Sequence, residues 1–415
     1  MTNRARYASD FLRRRVKRFA KPLYRHPVIG LARLKRRFLQ ATFIGITGSS
    51  GKTTTKDLIY ELLRDEFRSV KSDDTNNKVF SVARTLLDVR RDTQFIVQET
   101  GASADEDLNM SLSLLRPDIG VVTHIGLEHF KRFRTREMIA AEKSKLVRCL
   151  PRTGTAILNV DDEHVRAFAE MTAARVFTYG YREGCDLRAL NDSSCWPQRL
   201  SMRLEYRGQS HNVQTQFCGA HMTYSILAAL ATSLVAGVSI ESAIARIAHC
   251  APTLGRMMPH KTASGVQFIR DDWKAPYWSI LKPIDFMQQA DAKRKVIIIG
   301  TISDMPGSTS TKYRSVAEKA LEAADMVFFF GPNSHKALKV RTIPDGKILR
   351  AFTEFREFAA HLKSELTQGD LVLLKGSGAD HLARFAIMFD KNLACWRQRC
   401  QLENMCDVCR LVSTP

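Results

Sequence analysis

The sequence TGSSGKTT at residues 47–54 decides the fold of this chain. An apolar run at residues 42–46 precedes it and is typical of a buried strand, and residues 53–64 are typical of a helix. A glycine-rich turn between a strand and a helix is the setting of a phosphate-binding loop, because backbone N–H groups and the helix amino terminus then face phosphate oxygens. The sequence therefore predicts a nucleotide-binding P-loop.

The side chains of this loop suit a nucleotide bound with a metal ion. Gly48 and Gly51 allow a tight turn, and Lys52 can reach the β- and γ-phosphates. The Thr53 hydroxyl can ligate Mg²⁺. Only two residues separate Gly48 from Gly51, whereas the general pattern places four there. The predicted nucleotide contacts of the loop are Gly48, Ser49, Ser50, Gly51, Lys52, Thr53 and Thr54.

Strand-like and helix-like segments alternate along most of the chain, which predicts parallel sheets covered by helices. The further apolar strand candidates are residues 95–99, 119–123, 295–300, 326–331 and 371–376. We expect an α/β fold with a central P-loop ATPase domain, followed by a smaller Rossmann-like α/β domain. The predicted segments are a basic leader at 1–40, the central ATP-binding domain at 41–254, the C-terminal α/β domain at 255–392 and a cysteine-rich tail at 393–415.

Positive charge is concentrated at the amino end. The 415 residues carry a net charge of +20, and residues 1–40 hold thirteen Arg and Lys against one acid. Within that leader, Leu12, Val16, Phe19 and Leu23 fall on one helical face. Two interpretations stay open: an arm for an anionic membrane surface or polymer, or a solvated basic helix docked on the protein itself.

The composition limits the location of the chain. The leader has no continuous apolar stretch of the secretory kind, and nine cysteines are an odd number, so we expect a reducing cytoplasmic setting. Peripheral membrane attachment through residues 1–40 is the alternative location. Residues 225–240 are the most membrane-like stretch, but they are short and contain polar residues, so we expect a buried helix and no transmembrane segment.

Further motifs follow the P-loop in a fixed order. They are the asparagines at 76–77, VQETGAS at 97–103, THIGLEH at 123–129, AEKSKL at 141–146, GRM at 255–257 and DDWKAP at 271–276. Together with the shortened loop, this series over roughly residues 41–385 resembles the Mur ligase family, which joins amino acids or peptides to cell-wall precursors. The motifs are most similar to those of the branch that adds D-alanyl-D-alanine.

The resemblance implies a metal and nucleotide site. Thr53, Glu99, His129 and Lys143 would hold Mg²⁺, with Lys143 as a carbamate whose oxygens face the metal. Arg256 would contact the γ-phosphate. Asp271 and Lys274 would lie near the ribose and phosphates. The catalytic residues implied by the family are Lys52, Glu99, His129, Lys143 and Arg256.

The same resemblance implies an ATP-dependent ligase with small-molecule or peptide substrates and with ATP and Mg²⁺ as cofactors. An acceptor carboxylate would attack the γ-phosphate, and an amine would then attack the acyl phosphate to give an amide, ADP and phosphate. Two other functions stay open. One is a catalytically silent Mur-like nucleotide-binding module that recruits an anionic partner through its basic leader, and the other is a nucleic-acid-associated P-loop ATPase.

Four features depart from the family pattern. We expect the family's N-terminal UDP-sugar domain to be missing, since the basic leader stands in its place. His124 replaces an asparagine, and Met222 and Ser225 stand where the family has asparagines near the base. Residues 271–279 also depart from the family's Asp-Asp-x-Tyr-Asn-Ala-Asn-Pro motif. We interpret the chain as a paralogue with retained ATP chemistry and a changed substrate.

The tail contains a compact group of cysteines, namely Cys395, Cys400, Cys406 and Cys409. Four thiolates can complete a tetrahedral zinc shell, and a short tail has little core of its own. We therefore predict one structural Zn²⁺. Two alternatives remain: these cysteines are unligated core residues, or they hold an iron–sulfur cluster.

Overall fold

Apolar runs form a nine-stranded central sheet in the computed structural model, which describes residues 25–73, 77–101, 107–127, 133–304, 307–398, 400 and 405–412. Its strands are β1 (Thr42–Thr47), β2 (Ser69–Lys71), β3 (Phe95–Glu99), β4 (Ile119–Val122), β5 (Thr155–Asn159), β6 (Arg175–Gly180), β7 (Leu187–Ser193), β8 (Ser201–Tyr206) and β9 (Gln209–Gln214). They are ordered β2-β3-β1-β4-β5-β6-β7-β8-β9.

Helices cover both faces of this sheet. They are α1 (residues 25–36), α2 (Lys52–Leu63), α3 (Val79–Asp88), α4 (Leu108–Leu115), α5 (Arg136–Arg148), α6 (Glu163–Ala167), α7 (Thr223–Val235) and α8 (Ile240–Ile247). Strands β1 to β7 pair in parallel, whereas β7, β8 and β9 are antiparallel. The two-residue turn Arg207–Gly208, with φ of 51° and 75°, joins β8 to β9. The antiparallel strands β8 and β9 were not predicted from the sequence.

The second domain holds a six-stranded sheet. Its strands are β10 (Met258–Lys261), β11 (Gln267–Asp271), β12 (Arg294–Ile299), β13 (Met326–Phe330), β14 (Ile348–Phe352) and β15 (Asp370–Lys375), and its helices are α9 (Leu281–Gln289), α10 (Thr309–Ala323), α11 (Phe355–Glu365) and α12 (Ala383–Ile387). The strand order is β10-β11-β15-β12-β13-β14, and only β10 pairs antiparallel. The predicted α/β fold with a parallel central sheet is confirmed.

The most apolar segment of the sequence forms α7, a helix buried between the central sheet and its neighbours. Residues Ile226 to Ala231 have no exposed surface. In the part of the chain that the structure describes, none of the helices has the length and apolar character needed to cross a bilayer. The prediction of a buried helix in this region is confirmed.

The cysteine-rich tail packs into the second domain as core. Cys395 and Cys406 belong to the hydrophobic cluster around Phe355 and Phe385. The buried guanidinium of Arg384 donates to the carbonyl oxygen of Cys395 at 3.2 Å, which fixes the tail against α12. This arrangement matches the alternative in which these cysteines are unligated core residues.

The zinc prediction for Cys395, Cys400, Cys406 and Cys409 is not supported. Across the described residues, no group of three or more His, Cys, Asp or Glu side chains is arranged to hold a metal ion. Burial raises the pKa of Cys406 to about 12, because its sulfur is packed among apolar side chains. Cysteine spacing alone was misleading because it does not report the apolar surroundings of each sulfur.

Candidate active site

The P-loop lies at the carboxyl edge of the central sheet. β1 ends at Thr47, and α2 begins at Lys52. Gly48 and Gly51 have φ angles of 145° and 78°, which favour glycine. A Cβ atom on Gly48 would also lie 1.9 Å from Thr123 Oγ1, so the loop has no room for a side chain there. The strand–loop–helix context expected from the sequence is present.

Glu99 and Thr53 converge beside this loop. Parallel pairing of β1 with β3 brings Glu99 to the same sheet edge as the P-loop. The Thr53 hydroxyl donates to Glu99 Oε2 at 2.8 Å, and Asn77 Nδ2 donates to Glu99 Oε1 at 3.3 Å. Glu99 is only 1% exposed, so its carboxylate is held in one orientation. A carboxylate and a hydroxyl side by side offer hard oxygen donors of the kind that Mg²⁺ takes from protein beside phosphates and water.

Two buried lysines face the loop from different helices. Lys52 Nζ, at the start of α2, donates to the carbonyl oxygen of Gly48. Lys143 Nζ, on α5, donates to the same oxygen at 3.1 Å. The structure therefore brings both predicted lysines together at the phosphate-binding turn. His129, the remaining residue of the implied metal site, lies outside the described residues, as does Asn76.

The second domain contributes charged side chains near the P-loop. Lys375 Nζ, at the end of β15, donates to Asp271 Oδ2 at 2.7 Å and to the Lys274 carbonyl oxygen at 2.8 Å. Burial lowers the pKa of Arg256, while the carboxylates of Asp271 and Glu99 act in the opposite direction. Arg256 thus lies between acidic side chains of both domains, where a phosphate group could replace some of their negative charge.

One of the sequence departures, Ser225, lies beside the P-loop, and a buried histidine, His221, is close to it in the chain. A Cβ on Gly51 would lie 2.8 Å from Ser225 Oγ, so the start of α7 touches the P-loop. Burial lowers the pKa of His221 to about 4, which makes this histidine neutral at physiological pH. Asp271 and Lys375 are its charged neighbours. Ser225 therefore lies against the P-loop, and His221 lies near charged side chains of the second domain.

His124 forms a pair that sequence reasoning did not foresee. Its Nδ1 lies 2.8 Å from Asp162 Oδ2, and its carbonyl oxygen accepts the backbone N–H of Ser49 at 2.7 Å. Burial opposes ionisation of Asp162, but the hydrogen bonds from His124 and from backbone N–H groups outweigh it and lower the pKa of Asp162 to about 2. The ring of Trp278, from the second domain, lies 5.7 Å from the His124 ring.

A further charge network connects the tail to the nucleotide side of the second domain. Both terminal nitrogens of the Arg270 guanidinium donate to the Asp407 carboxylate, Nη1 to Oδ1 and Nη2 to Oδ2, the latter at 2.9 Å. Arg270 Nη2 also donates to Asp272 Oδ2 at 3.2 Å. A Cβ on Gly255 would meet Asp272 Oδ1 at 3.0 Å, so Asp272 supports the turn that carries Arg256. No motif indicates this network, since Asp407 lies far along the chain from Arg270.

Two models of one protein family match the chain. They are the Mur ligase middle domain, over residues 46–233, and the Mur ligase glutamate ligase domain, over residues 255–378. The UDP-N-acetylmuramoyl-tripeptide–D-alanyl-D-alanine ligase of Mycobacterium leprae is 27% identical over 375 residues, which cover 83% of this chain and 72% of that enzyme. The Bacillus subtilis enzyme of the same name is 25% identical, with coverage of 84% and 76%.

Solved structures agree at the level of the fold. MurF from Acinetobacter baumannii superposes with a TM-score of 0.77 at 24% identity, covering 88% of this chain and 80% of that chain. The MurF ligase from Thermotoga maritima in complex with ADP gives a TM-score of 0.77 at 22% identity, with coverage of 88% and 83%. Both superpositions include the two domains that meet at the P-loop.

The network through Asp407 generates the first prediction. Asp407→Asn weakens the hydrogen bonds that Asp407 accepts from Arg270. Asp272 and the adjacent turn at Gly255 then lose their fixed position. We expect the dissociation constant for ADP, measured by calorimetry, to rise roughly three- to tenfold, the effect of losing about 1 kcal/mol of charge-assisted hydrogen bonding.

A matched control is available at Asp390, which binds His260 and the Ala263 backbone N–H but does not contact Arg270. Asp390→Asn should leave the ADP affinity within about twofold of the parent value. This holds even if the unfolding temperature of the Asp390 variant falls as far as that of the Asp407 variant. Equal ADP affinities for the Asp407 and Asp390 variants would contradict the positioning role of the tail.

Proposed function

This chain belongs to the Mur ligase family, and on that premise we propose that it forms an amide bond at the expense of ATP, through an acyl phosphate on an acceptor carboxylate. The observation that carries the proposal is the convergence of two domains on one P-loop. Lys52, Thr53 and Glu99 come from the central domain, and Arg256 stands at the start of the second. A silent module would not need this set of phosphate-facing groups.

The proposed reaction uses positioning and charge. Lys52 and the loop N–H groups bind the β- and γ-phosphates, and Arg256 contacts the γ-phosphate as the acceptor carboxylate attacks it. Mg²⁺ held by Thr53 and Glu99 would offset negative charge on the phosphates. No covalent bond to the enzyme is needed, because the acyl phosphate is itself the activated species. The incoming amine then attacks its carbonyl carbon, and inorganic phosphate leaves.

Lys143 and His129 are proposed to complete the metal site. Lys143 is 3% exposed and reaches the loop carbonyl of Gly48, so a carboxylated amine at this position would face the phosphate site. As a carbamate it would carry negative charge and oxygen ligands, in place of an ammonium group. Asp271 and Lys274 are proposed nucleotide contacts, since Lys375 binds both at the same end of the second sheet.

The substrates are proposed to be an acceptor carboxylate and an amino acid or short peptide. The relatives named above act on UDP-N-acetylmuramoyl-tripeptide and D-alanyl-D-alanine. In this chain, His124 and Trp278 stand beside the P-loop at positions where the family motifs differ. We therefore expect a different acceptor, recognised in part by this pair. The nucleic-acid-associated ATPase receives no support from the geometry of the site.

The proposed location is the cytoplasm, with peripheral attachment to a membrane through the basic leader at residues 1–40. The charge of that segment supports attachment, because anionic lipid headgroups attract polybasic segments. Leu12, Val16, Phe19 and Leu23, the predicted apolar face of the leader, lie outside the described residues. The structure describes only residues 25–40 of the leader, which contain helix α1.

The second prediction concerns Lys52. Lys52→Ala removes the ammonium group that faces the phosphates, and we expect the rate of ATP turnover to fall about a hundredfold or more. Phosphate release in the presence of a small-molecule extract measures it. Arg64→Ala, which removes an exposed positive charge beyond the last turn of the same helix, is the control and should keep the parent rate. Parent-like turnover in folded Lys52→Ala would refute the proposed phosphate site.

The third prediction concerns carbamylation of Lys143. Protein equilibrated with ¹³C-labelled bicarbonate should show a carbamate carbon resonance that Lys143→Gln lacks. Lys145→Gln is the matched control, because Lys145 lies on the same helix but binds Asp107 and Glu142. It should keep the resonance. A resonance that survives Lys143→Gln, or none in the parent protein at saturating bicarbonate, would exclude the carbamate.

A further inference from the structure

Helix α1 is fixed to the central domain by its inner face. Ala32 and Leu39 are buried in a cluster with Phe43, and Val28 and Ile29 pack against the same cluster. This face therefore needs no additional partner. The segment that follows residue 24 is part of the domain surface and not a free arm.

Two basic side chains strengthen this attachment. Lys35 Nζ donates to the carbonyl oxygens of Leu87 and Val89, at 2.7 and 2.6 Å. Arg36 donates to the carbonyl oxygens of Leu115 and Arg116, at 2.7 and 2.9 Å. These acceptors lie at the carboxyl ends of α3 and α4, where the helix dipole favours a cation. The position of α1 is thus set by charge as well as by apolar packing.

The outer face of α1 presents three large apolar side chains to solvent. Leu31, Leu34 and Phe38 are 58%, 51% and 76% exposed. Their spacing of three and four residues places them on one side of the helix and its final turn. Arg33 and Arg37, also exposed, run alongside them. Single exposed apolar residues are ordinary on protein surfaces, but a contiguous group bordered by arginines marks an interaction surface.

We propose that this outer face docks on an anionic lipid bilayer, with Leu31, Leu34 and Phe38 inserted at the headgroup boundary. An amphipathic helix with arginine beside its apolar residues lies in the membrane interface in this way. Residues 1–40, with thirteen basic side chains against one acid, supply long-range attraction to anionic headgroups.

Charge and side-chain type favour a membrane over other occupants. A second copy of this chain would bring an equally basic face, and like charges repel. A nucleic acid would use aromatic stacking platforms, whereas two of the three side chains here are leucines. Leucine and phenylalanine gain free energy by leaving water for acyl chains, in proportion to the apolar area that they bury.

The docked orientation leaves the candidate active site in water. α1 binds the carboxyl ends of α3 and α4, and Phe43, beneath it, stands at the beginning of β1. The P-loop follows the opposite end of β1, at Thr47. Membrane docking therefore does not close the nucleotide cleft. The inference goes beyond the proposed ligase activity, and it can fail while that activity stands.

Flotation of the full chain with vesicles tests the docking face. Vesicles of phosphatidylcholine containing about 30% phosphatidylglycerol should carry the protein, and pure phosphatidylcholine should carry much less. The triple change Leu31→Ser, Leu34→Ser and Phe38→Ser should lower the partition coefficient at least about tenfold. Raising the salt concentration should weaken binding of the parent protein, because exposed charges are screened.

The matched control changes three other exposed apolar residues, by Met110→Ser, Leu338→Ser and Ile343→Ser. This control should float like the parent protein. ADP affinity should be the same in the parent and both variants, which shows that the fold is intact.

Several results would overturn the docking face. The α1 variant could float as well as the parent protein, or the control variant could lose as much flotation as the α1 variant. The parent protein could also fail to bind either type of vesicle. A shift from dimer to monomer in the α1 variant would assign the face to a second copy. Loss of DNA binding without loss of flotation would assign it to a nucleic acid.

Discussion

The parallel pairing of β1 with β3 is the constraint on which the rest of this structure depends. In that register Ile46 stands opposite Glu99, so the carboxylate reaches the edge at which β1 turns into the P-loop. Thr53, in the first turn of α2, then meets Glu99 at 2.8 Å. A slip of one residue would turn Glu99 to the other face of the sheet and separate its carboxylate from the Thr53 hydroxyl. The position of Glu99 beside the P-loop is therefore a consequence of how two buried strands align.

Residues of the second domain lie near this edge of the central sheet. Arg256 stands at the beginning of that domain, and acidic groups from both sides surround it. Its turn rests on Asp272, which shares the Arg270 guanidinium with Asp407 of the tail. The tail lies beyond the region matched by the family models, yet it reaches the residues next to the nucleotide cleft. The tail therefore contacts, through Asp407, a residue that also binds Asp272 beside the turn of Arg256.

The sequence was informative where chemistry requires a local pattern. Glycines, Lys52 and Thr53 at fixed spacing identified the P-loop, and the ordered motifs identified the family and the α/β fold. It was not informative where contacts join distant segments. The pairing of His124 with Asp162 and Trp278, and that of Arg270 with Asp407, arises only when strands and domains assemble. The zinc prediction is not supported for a related reason, because spacing does not show that Cys395 and Cys406 are packed among phenylalanines.

Transfer of oxygen from a carboxylate to phosphate tests the central claim most directly. The protein is incubated with MgATP and an extract of small molecules and peptides whose carboxylates carry ¹⁸O, in unlabelled water. If an acyl phosphate forms and an amine displaces phosphate from it, each phosphate released by ligation carries one ¹⁸O atom from the acceptor. Mass spectrometry of inorganic phosphate then shows the label. Phosphate that is released in an enzyme-dependent manner but carries no ¹⁸O would contradict the acyl-phosphate mechanism.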